Sequence, residues 1–339
     1  MDSATGILSR PILLLDGGLG TTLEDEHAIK FSTSTPLWSS HLLISSPEVL
    51  SQVQSDFAQA GADIILTATY QASIDGFCKT LVAGQPVQGE DAKRYMLSSV
   101  QISRDAIVTS KGDGLVALSL GPYGATMSPS TEYSGEYGST SGADLVEFHR
   151  QRLGLFASDE ATWARVDLLA FETLPRLDEI RAVRQVMRDA PAKPSWLSCV
   201  FPGAETDSLP DGSSIPEVVA AMLEGDQPPA AIGLNCTKIG KVKNLILQFE
   251  DAIAQQGHDY PRLVIYPDGA GNQVYDTHLK QWVAAAQATG SEASRPWSSV
   301  MAEIVREVQQ RGKWKSIIVG GCCKVSPTMI KDLHTELEV

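Results

Sequence analysis

The sequence predicts a (β/α)₈ TIM barrel, a closed sheet of eight parallel strands surrounded by helices. Apolar runs of the length of a buried strand recur along the chain, and segments with helical spacing separate them. Such alternation is typical of a parallel sheet, and eight units match the closed barrel. In addition, polar or reactive residues stand where most of the runs end. A barrel brings the C-terminal ends of its strands together around one mouth, where its active site lies.

The eight predicted strands are nearly continuous apolar runs, as expected for strands buried on both faces. They are residues 11–16, 62–69, 115–120, 166–171, 196–201, 230–236, 262–266 and 317–319. The alternative is an open doubly wound sheet, which would spread the polar strand ends along an edge. No internal repeat, linker or low-complexity segment is visible, so we expect one domain over residues 1–339.

Helices are predicted between the strands from apolar residues three or four apart and from their start signals. The first follows Ser46-Pro47-Glu48, a serine N-cap with a first-turn proline and an acid. The last begins after Ser326-Pro327. The others are predicted at residues 91–110, 143–163, 178–189, 215–224, 242–255, 277–286 and 296–310.

Two segments stand apart from this alternation. The glycine-rich residues 17–20 follow the first strand, and no helical pattern opens directly on them. Residues 124–142 form a polar loop rich in Gly, Ser, Thr and Tyr. Loops of this length are uncommon inside a compact domain and are often functional, although a plain surface excursion is the alternative.

The bulk composition excludes several classes of function. The chain has 339 residues, 43% hydrophobic and 20% charged, which is ordinary for a globular protein. Its net charge of −14 and lack of a basic patch argue against a nucleic-acid partner. No run approaches the ~20 apolar residues of a membrane helix, and no signal peptide is expected. Five cysteines are too few for a disulfide framework in a chain this long, so we expect a reducing cytoplasm.

The segment 316–324 carries the clearest chemical signal. A short apolar strand runs into Gly320 and Gly321 and then into Cys322 and Cys323. Adjacent residues of a regular strand point to opposite faces, but glycines let the chain turn so that both thiolates could face one metal. Cys236 ends another predicted strand. Three thiols with one open position make the ligand set of a catalytic zinc. Buried structural cysteines and a redox disulfide between the vicinal pair are the alternatives.

Several different short motifs are distributed along the chain, from the first strand to the last. They are Asp16-Gly-Gly-Leu-Gly-Thr21, Pro36-Leu-Trp38-Ser39, Thr67-Ala-Thr-Tyr-Gln71, Gly121-Pro-Tyr-Gly-Ala125, Ser130-Thr-Glu-Tyr-Ser-Gly-Glu-Tyr137, Phe171-Glu-Thr173, Gly233-Leu-Asn-Cys-Thr237 and Gly320-Gly-Cys-Cys323. With these motifs the chain resembles the homocysteine S-methyltransferases that use S-methylmethionine or S-adenosylmethionine. It also resembles betaine–homocysteine methyltransferase and the homocysteine half of cobalamin-dependent methionine synthase.

The resemblance implies a homocysteine-binding (β/α)₈ barrel with one zinc ion bound by Cys236, Cys322 and Cys323. It also implies that Asp16 and Glu172 lie near the amino group of homocysteine. One segment departs from the family. An Asn-Ser-Gly-Glu turn usually follows the seventh strand, whereas residues 268–271 here read Asp-Gly-Ala-Gly.

The predicted substrate-binding residues lie at strand ends or in the matching motifs. They are Asp16, Gly17, Trp38, Tyr123, Glu172, Thr173 and Asn235. Two carboxylates can hold an ammonium group, and aromatic rings can face a sulfonium by cation–π contact. Such aromatics, among them Tyr133, are also often simply buried. A glycosidase-like acid/base pair is disfavoured by the three thiols.

The predicted reaction is zinc-dependent transfer of a methyl group from S-methylmethionine or S-adenosylmethionine to L-homocysteine, giving methionine. Coordination by zinc deprotonates a thiol, so no general base is needed for the methyl transfer itself. S-methylmethionine is slightly favoured because no adenine-binding element is evident, although loop 124–142 could contain one. A betaine-dependent enzyme, a non-enzymatic zinc-stabilised barrel and a dithiol oxidoreductase are the alternatives. Small molecules are the expected partners, and the sequence leaves oligomeric state and selenol acceptors open.

Overall fold

The computed structural model describes residues 3–32, 35–276, 281–284 and 295–339. Eight parallel strands form one sheet in this part of the chain. They are β1 (Ile12–Leu14), β2 (Ile64–Leu66), β3 (Leu115–Leu120), β4 (Leu168–Leu174), β5 (Ser195–Cys199), β6 (Ala231–Lys238), β7 (Arg262–Asp268) and β8 (Ile317–Val319).

The sheet closes on itself as a barrel. Its hydrogen-bonded order is β1-β8-β7-β6-β5-β4-β3-β2. The seam between β1 and β2 is closed by a parallel bridge between Leu15 and Ile64. Two backbone bonds reinforce it, from Asp16 N to Ile64 O (3.1 Å) and from Asp63 N to Leu14 O (2.8 Å). The predicted TIM barrel is confirmed.

One outer helix follows each strand and packs around the barrel. These helices are α1 (Pro47–Gln59), α2 (Gly89–Ser110), α3 (Gly142–Ala157), α4 (Leu177–Asp189), α5 (Ile215–Leu223), α6 (Ile239–Gln256), α7 (Trp297–Arg311) and α8 (Pro327–Leu337). Side-chain caps fix several starts. Ser141 and Asp144 form a capping box at α3, and Ser326 Oγ accepts from Met329 N at α8.

Additional helices, 3₁₀ turns and two antiparallel strand pairs lie in the connections between these strands and helices. The short helices and 3₁₀ turns are Ser3–Leu8, Leu19–His27, Trp38–His41, Leu42–Ser45, Ile74–Cys78, Tyr123–Thr126 and Glu160–Trp163. Antiparallel pairing joins Leu81–Val82 to Gln85–Pro86, and Gln273–Asp276 to Gln281–Ala284.

The alternation of side chains along the strands produces two apolar cores. Along β1, Ile12 and Leu14 pack in the large core between sheet and helices, while Leu13 and Leu15 belong to a second cluster that includes Trp196 and Tyr266. The strands approach closely where β6 meets β7. A Cβ on Gly233 would lie 1.8 Å from Val264 O, so only glycine fits there.

Three predictions about elements were wrong. Gln281–Ala284, inside the predicted helix 277–286, is a strand; residues 277–280 and 285–286 lie outside the described part. The helix Leu19–His27 begins directly after Gly18, where no helix was predicted. The predicted helix 143–163 is divided into α3 and a separate turn, Glu160–Trp163, capped by Asp159. Within the described residues, no helix has the length and apolar character needed to cross a membrane.

Candidate active site and metal centre

A cavity opens at the C-terminal mouth of the barrel. Residues near the C-terminal ends of seven strands line it: Asp16, Leu66, Ser119, Glu172, Cys236, Tyr266 and Cys322. The loop 124–142 contributes Met127 and Tyr133, and the hairpin after β7 contributes Tyr275 and Trp282. The barrel therefore gathers the polar strand ends at one mouth, as the fold prediction required.

Three cysteine sulfurs meet in this cavity. The Sγ atoms of Cys236, Cys322 and Cys323 all lie within 4.8 Å of one another. Cys236 is joined to Cys322 by a disulfide, and the Cys323 thiol is free. This pairing differs from the vicinal Cys322–Cys323 disulfide that the oxidoreductase hypothesis requires. Burial, with a contribution from Asp268, raises the pKa of the Cys323 thiol to about 12.

Residues 320–323 form a turn that carries Cys322 and Cys323, here called the cysteine turn. Gly320 and Gly321 allow this turn to pack closely against other parts of the chain. A Cβ on Gly320 would lie 2.7 Å from Asp16 O, and one on Gly321 would lie 2.2 Å from Val325 Cγ1. Gly321 N donates to Asp16 O at 3.0 Å. Neither glycine is among the residues with positive φ. Close approach, rather than an unusual backbone conformation, is therefore the reason for glycine here.

Two buried carboxylates lie in the same cavity. Asp16 is 2% exposed; its Oδ2 accepts from Leu66 N at 2.8 Å, and its Oδ1 has no partner. Burial raises the pKa of Asp16 well above its usual value, and the charge of Glu172 adds to this. Glu172 accepts from Ser119 Oγ, and burial raises its pKa to about 7. An orphaned carboxylate oxygen out of water calls for a cationic or hydrogen-bonding ligand.

Aromatic rings form another part of the cavity wall. Trp38, Tyr70, Tyr133, Tyr275 and Trp282 all line the cavity. Among the described lining residues there is no lysine, arginine or histidine. Acids and aromatic faces without a basic side chain favour cationic over anionic ligands.

Comparison with known proteins identifies the family. The family model described as homocysteine S-methyltransferase matches residues 13–337. The chain belongs to the homocysteine S-methyltransferase family. It is therefore a methyltransferase, with the motifs that the sequence analysis identified.

Individual relatives support this assignment over almost their full length. Homocysteine S-methyltransferase 3 of Zea mays is 33% identical, over 96% of this chain and 90% of the relative. Homocysteine S-methyltransferase YbgG of Bacillus subtilis is 30% identical, over 95% and 93%. The metallated form of the homocysteine methyltransferase MmuM from Escherichia coli superposes with a TM-score of 0.71 at 28% identity, covering 98% of this chain and 99% of MmuM.

Not every predicted substrate residue of this homocysteine S-methyltransferase family member faces the cavity. Asp16, Gly17, Trp38 and Glu172 line it. Tyr123 is not among the lining residues. Its ring instead packs edge-on against the rings of Tyr137 and Phe148, with centroids 5.3 and 5.2 Å apart, and its backbone N–H donates to Glu179.

Thr173 and Asn235 are buried beside the cavity and hold Cys236. Asn235 Nδ2 donates to Thr173 Oγ1 (2.7 Å) and to Cys236 Sγ (3.3 Å), and Thr173 N donates to Asn235 Oδ1 (2.8 Å). Irregular strand pairing at both sites accompanies left-handed backbone conformations, with φ of 61° at Thr173 and 48° at Cys236. Such strain is concentrated at functional sites.

The unusual segment 268–271 supports the cysteine turn. Cys322 N donates to Pro267 O (2.9 Å), and Gly269 N donates to Cys323 O (2.8 Å). Asp268 Oδ1 fixes the segment by accepting from Lys238 Nζ (3.1 Å) and Ala270 N (3.0 Å). Neither Asp268 nor Gly269 lines the cavity.

Sequence reasoning missed one carboxylate of the cavity. Glu132, in the polar loop, is 5% exposed and lines the cavity. Its Oε2 has no hydrogen-bond partner, and burial raises its pKa to about 7. An acid in a polar segment normally suggests an exposed side chain. The one signal in the sequence that pointed to Glu132 was its place in the family-like motif Ser130 to Tyr137.

Proposed function

We propose that this enzyme binds zinc through Cys236, Cys322 and Cys323 and transfers a methyl group from a sulfonium donor to homocysteine. The observation that supports it most is the grouping of three sulfurs within 4.8 Å of one another in a cavity that Asp16, with its unpartnered oxygen, also lines. The thiols offer a metal site, and the carboxylate offers a partner for the ammonium of an amino acid.

The cysteine geometry fits zinc. Zn–S bonds of about 2.3 Å in a tetrahedron set sulfur ligands about 3.8 Å apart, which the cluster accommodates once Cys236 and Cys322 are reduced. Within the described chain, no fourth Cys, His or carboxylate joins this group, which leaves a ligand position for substrate. Bound zinc deprotonates a thiol and so supplies a thiolate at neutral pH.

Asp16 and Glu172 are proposed to hold the ammonium group of homocysteine. Both are buried, and Asp16 Oδ1 is free to accept an N–H bond. The described residues that line the cavity include no basic side chain that could bind the carboxylate group of homocysteine. The helix Leu19–His27 begins at the cavity, where Gly18, Leu19 and Gly20 line the wall. Of these three, Gly18 N already donates to Val325 O and Leu19 N to Gly17 O, so the N–H of Gly20 is the one that suits a carboxylate.

A sulfonium donor matches the rest of the cavity. During transfer the homocysteine thiolate supplies the electron pair of the new S–CH₃ bond, and the broken bond leaves its pair on the donor sulfur as a neutral thioether. The residues need only align the two sulfurs and exclude water, so no side chain must accept a proton. The acidic and aromatic lining suits S-methylmethionine or S-adenosylmethionine and disfavours an anionic folate.

The test of donor and acceptor uses reduced, zinc-loaded protein. Homocysteine is offered with S-methylmethionine, S-adenosylmethionine, betaine or methyl-tetrahydrofolate, and methionine is measured. We expect turnover with a sulfonium. Turnover with betaine alone would contradict the donor assignment, and no turnover with any donor would contradict the function. A relative from Brassica oleracea, 31% identical, is named selenocysteine Se-methyltransferase, so selenocysteine belongs among the acceptors tested.

The test of the metal site is Cys236→Ala, with Cys78→Ala as the matched control. Cys78 is free and lies outside the cluster. Losing one of three ligands should remove most of the zinc and all methyl transfer, whereas the Cys78 variant should keep both. Metal content and methionine formation are the measurements. Full zinc content in the Cys236 variant would exclude the site.

A further inference from the structure

Glu132 presents a second unpartnered carboxylate oxygen to the cavity. In the described lining, Asp16 Oδ1 and Glu132 Oε2 are the carboxylate oxygens that are buried without a hydrogen-bond partner. An unpaired buried acceptor is costly unless a ligand satisfies it. Glu132 Oε2 can therefore accept a hydrogen bond from a bound molecule.

The loop holds Glu132 in place before any ligand binds. Thr131 N donates to Gly124 O at 2.9 Å, and Gly135 N donates to Thr131 O at 2.8 Å, so turns bracket the glutamate. Further along, the Tyr137 hydroxyl donates to Glu179 Oε2 at 2.6 Å. Arg176 donates to Gly135 O at 3.0 Å. A loop whose backbone is already ordered loses little conformational entropy on binding.

Glu132 lies on a different element from the two carboxylates assigned to homocysteine, because it belongs to the loop 124–142 and they lie at strands β1 and β4. The charge of Glu172 acts on Asp16, so these two form one acidic pair. The charge of Glu132 acts on Tyr133 and Cys323, and both Glu132 and Glu172 act on Tyr70. The cavity therefore has two acidic points, one at the ends of β1 and β4 and one on the loop.

We propose that Glu132 accepts a hydrogen bond from the α-ammonium group of the methyl donor and so selects sulfonium donors that are amino acids. This inference rests on the proposed function and names its donor class. An ammonium supplies the N–H donors that an orphaned carboxylate lacks, whereas a sulfonium has none and is better met by the aromatic walls. Betaine, whose nitrogen carries no hydrogen, cannot make this bond.

The test pairs Glu132→Gln with two donors that differ by one group. S-methylmethionine carries the α-amino group, and 4-(dimethylsulfonio)butanoate is the same molecule without it. We expect Glu132→Gln to lower kcat/KM for S-methylmethionine by about 30-fold or more and to change the KM for homocysteine little. The value for the desamino donor should be nearly unchanged. Glu136→Gln, an exposed glutamate of the same loop, is the matched control and should behave as the parent.

Calorimetric titration of each donor into zinc-loaded protein without homocysteine gives a second readout. It applies even where the desamino donor is not turned over. Only S-methylmethionine should lose affinity in the variant, while zinc content and melting temperature stay near those of the parent. Equal losses for both donors, no loss for either, or a loss expressed in the KM of homocysteine would each overturn the assignment. Failure of the parent to form methionine would instead count against the proposed function.

Discussion

One carboxylate oxygen of Asp16 is buried without a hydrogen-bond partner. This is unfavourable in the ligand-free protein, but it leaves the oxygen available to bind an ammonium group. We therefore expect Asp16→Asn to lower kcat/KM for homocysteine by about 30-fold or more, since a buried ammonium loses its charged partner. Steady-state kinetics with homocysteine and with 4-mercaptobutanoate, which lacks the amino group, is the measurement. Asp105→Asn, an exposed change on α2, is the control. Equal effects on both thiols would make Asp16 a structural residue.

Glu172 should make stability depend on pH. Its carboxyl has a pKa of about 7 in the folded protein against 4.5 ordinarily, so the folded state binds the proton more tightly than the unfolded state. The stabilisation is complete below pH 4.5 and is lost as pH rises through 7. Glu172→Gln stays neutral and should raise the free energy of unfolding by up to about 3 kcal/mol at pH 8, with little effect at pH 4.

Thermal melting of parent and Glu172→Gln from pH 4 to 8 measures this, with both proteins in the same metal state. Glu136→Gln should show no pH-dependent difference from the parent, because that side chain is exposed. A Glu172→Gln protein that melts lower than the parent at pH 8 would show that the ionised carboxylate stabilises the fold. Activity with homocysteine should fall in the same variant, which would make Glu172 a residue that trades stability for function.

Single residues were predictable from sequence when their chemistry was unusual for their position. Cysteines after glycines and acids at the ends of apolar runs stand out, and Asp16, Glu172 and the three thiols do line the cavity. Glu132 was not predictable in this way, because burial of a loop residue depends on contacts with distant elements. Tyr123 was predicted from its place after β3, but it begins the 3₁₀ turn Tyr123–Thr126, and its ring packs against Phe148 of α3 and does not line the cavity.

At the scale of elements, the segment after β7 braces the cysteine turn. We expect Gly269→Ala to weaken zinc retention without unfolding the barrel. A Cβ there would lie 2.9 Å from Lys324 O and 2.9 Å from Val325 Cγ2, which would push the turn away. Gly154→Ala on α3 is the control, because nothing lies within 4 Å of its Cβ and alanine favours the helix.

The measurement for Gly269→Ala is zinc content after dialysis against a chelator of graded concentration, together with the melting temperature of the metal-free protein. The variant should release zinc at lower chelator concentration than either the parent or Gly154→Ala. Unchanged retention would mean that the turn holds its shape without the segment, and the departure from the family pattern would then have no effect on the metal.

The elements that sequence located well are those whose own residues determine them. Both β3 and β8 have the predicted bounds, because continuous apolar runs have few alternatives inside a barrel. Gln281–Ala284 was wrongly included in a helix, although Trp282 and Val283 are residue types common in strands, and pairing with Gln273–Asp276 decides its structure. The helix Leu19–His27 escaped detection because Gly20, Thr21 and Thr22 are buried in it without forming an apolar stripe.

For the whole molecule, the net charge of −14 and the acidic cavity should draw in a cationic donor. We expect kcat/KM for S-methylmethionine to fall several-fold between 0.01 and 0.15 M salt, because the Debye length shrinks from about 30 to about 8 Å. Homocysteine, a zwitterion without net charge, should respond less. Kinetics in a sodium chloride series measures both, and equal salt dependence for the two substrates would contradict charge attraction.

The placement of the three thiols also sets an order of events in the cell. Cys236 and Cys322 are 86 residues apart in the chain, and β7 lies between their strands in the sheet. At about 5–20 residues per second, a ribosome needs about 4 to 17 s to make the second thiol after the first. During that interval the nascent polypeptide contains Cys236 but not yet the other two proposed zinc ligands. All three ligands of the proposed zinc are therefore present only after translation has passed the last strand, so every molecule is first made without the bound metal.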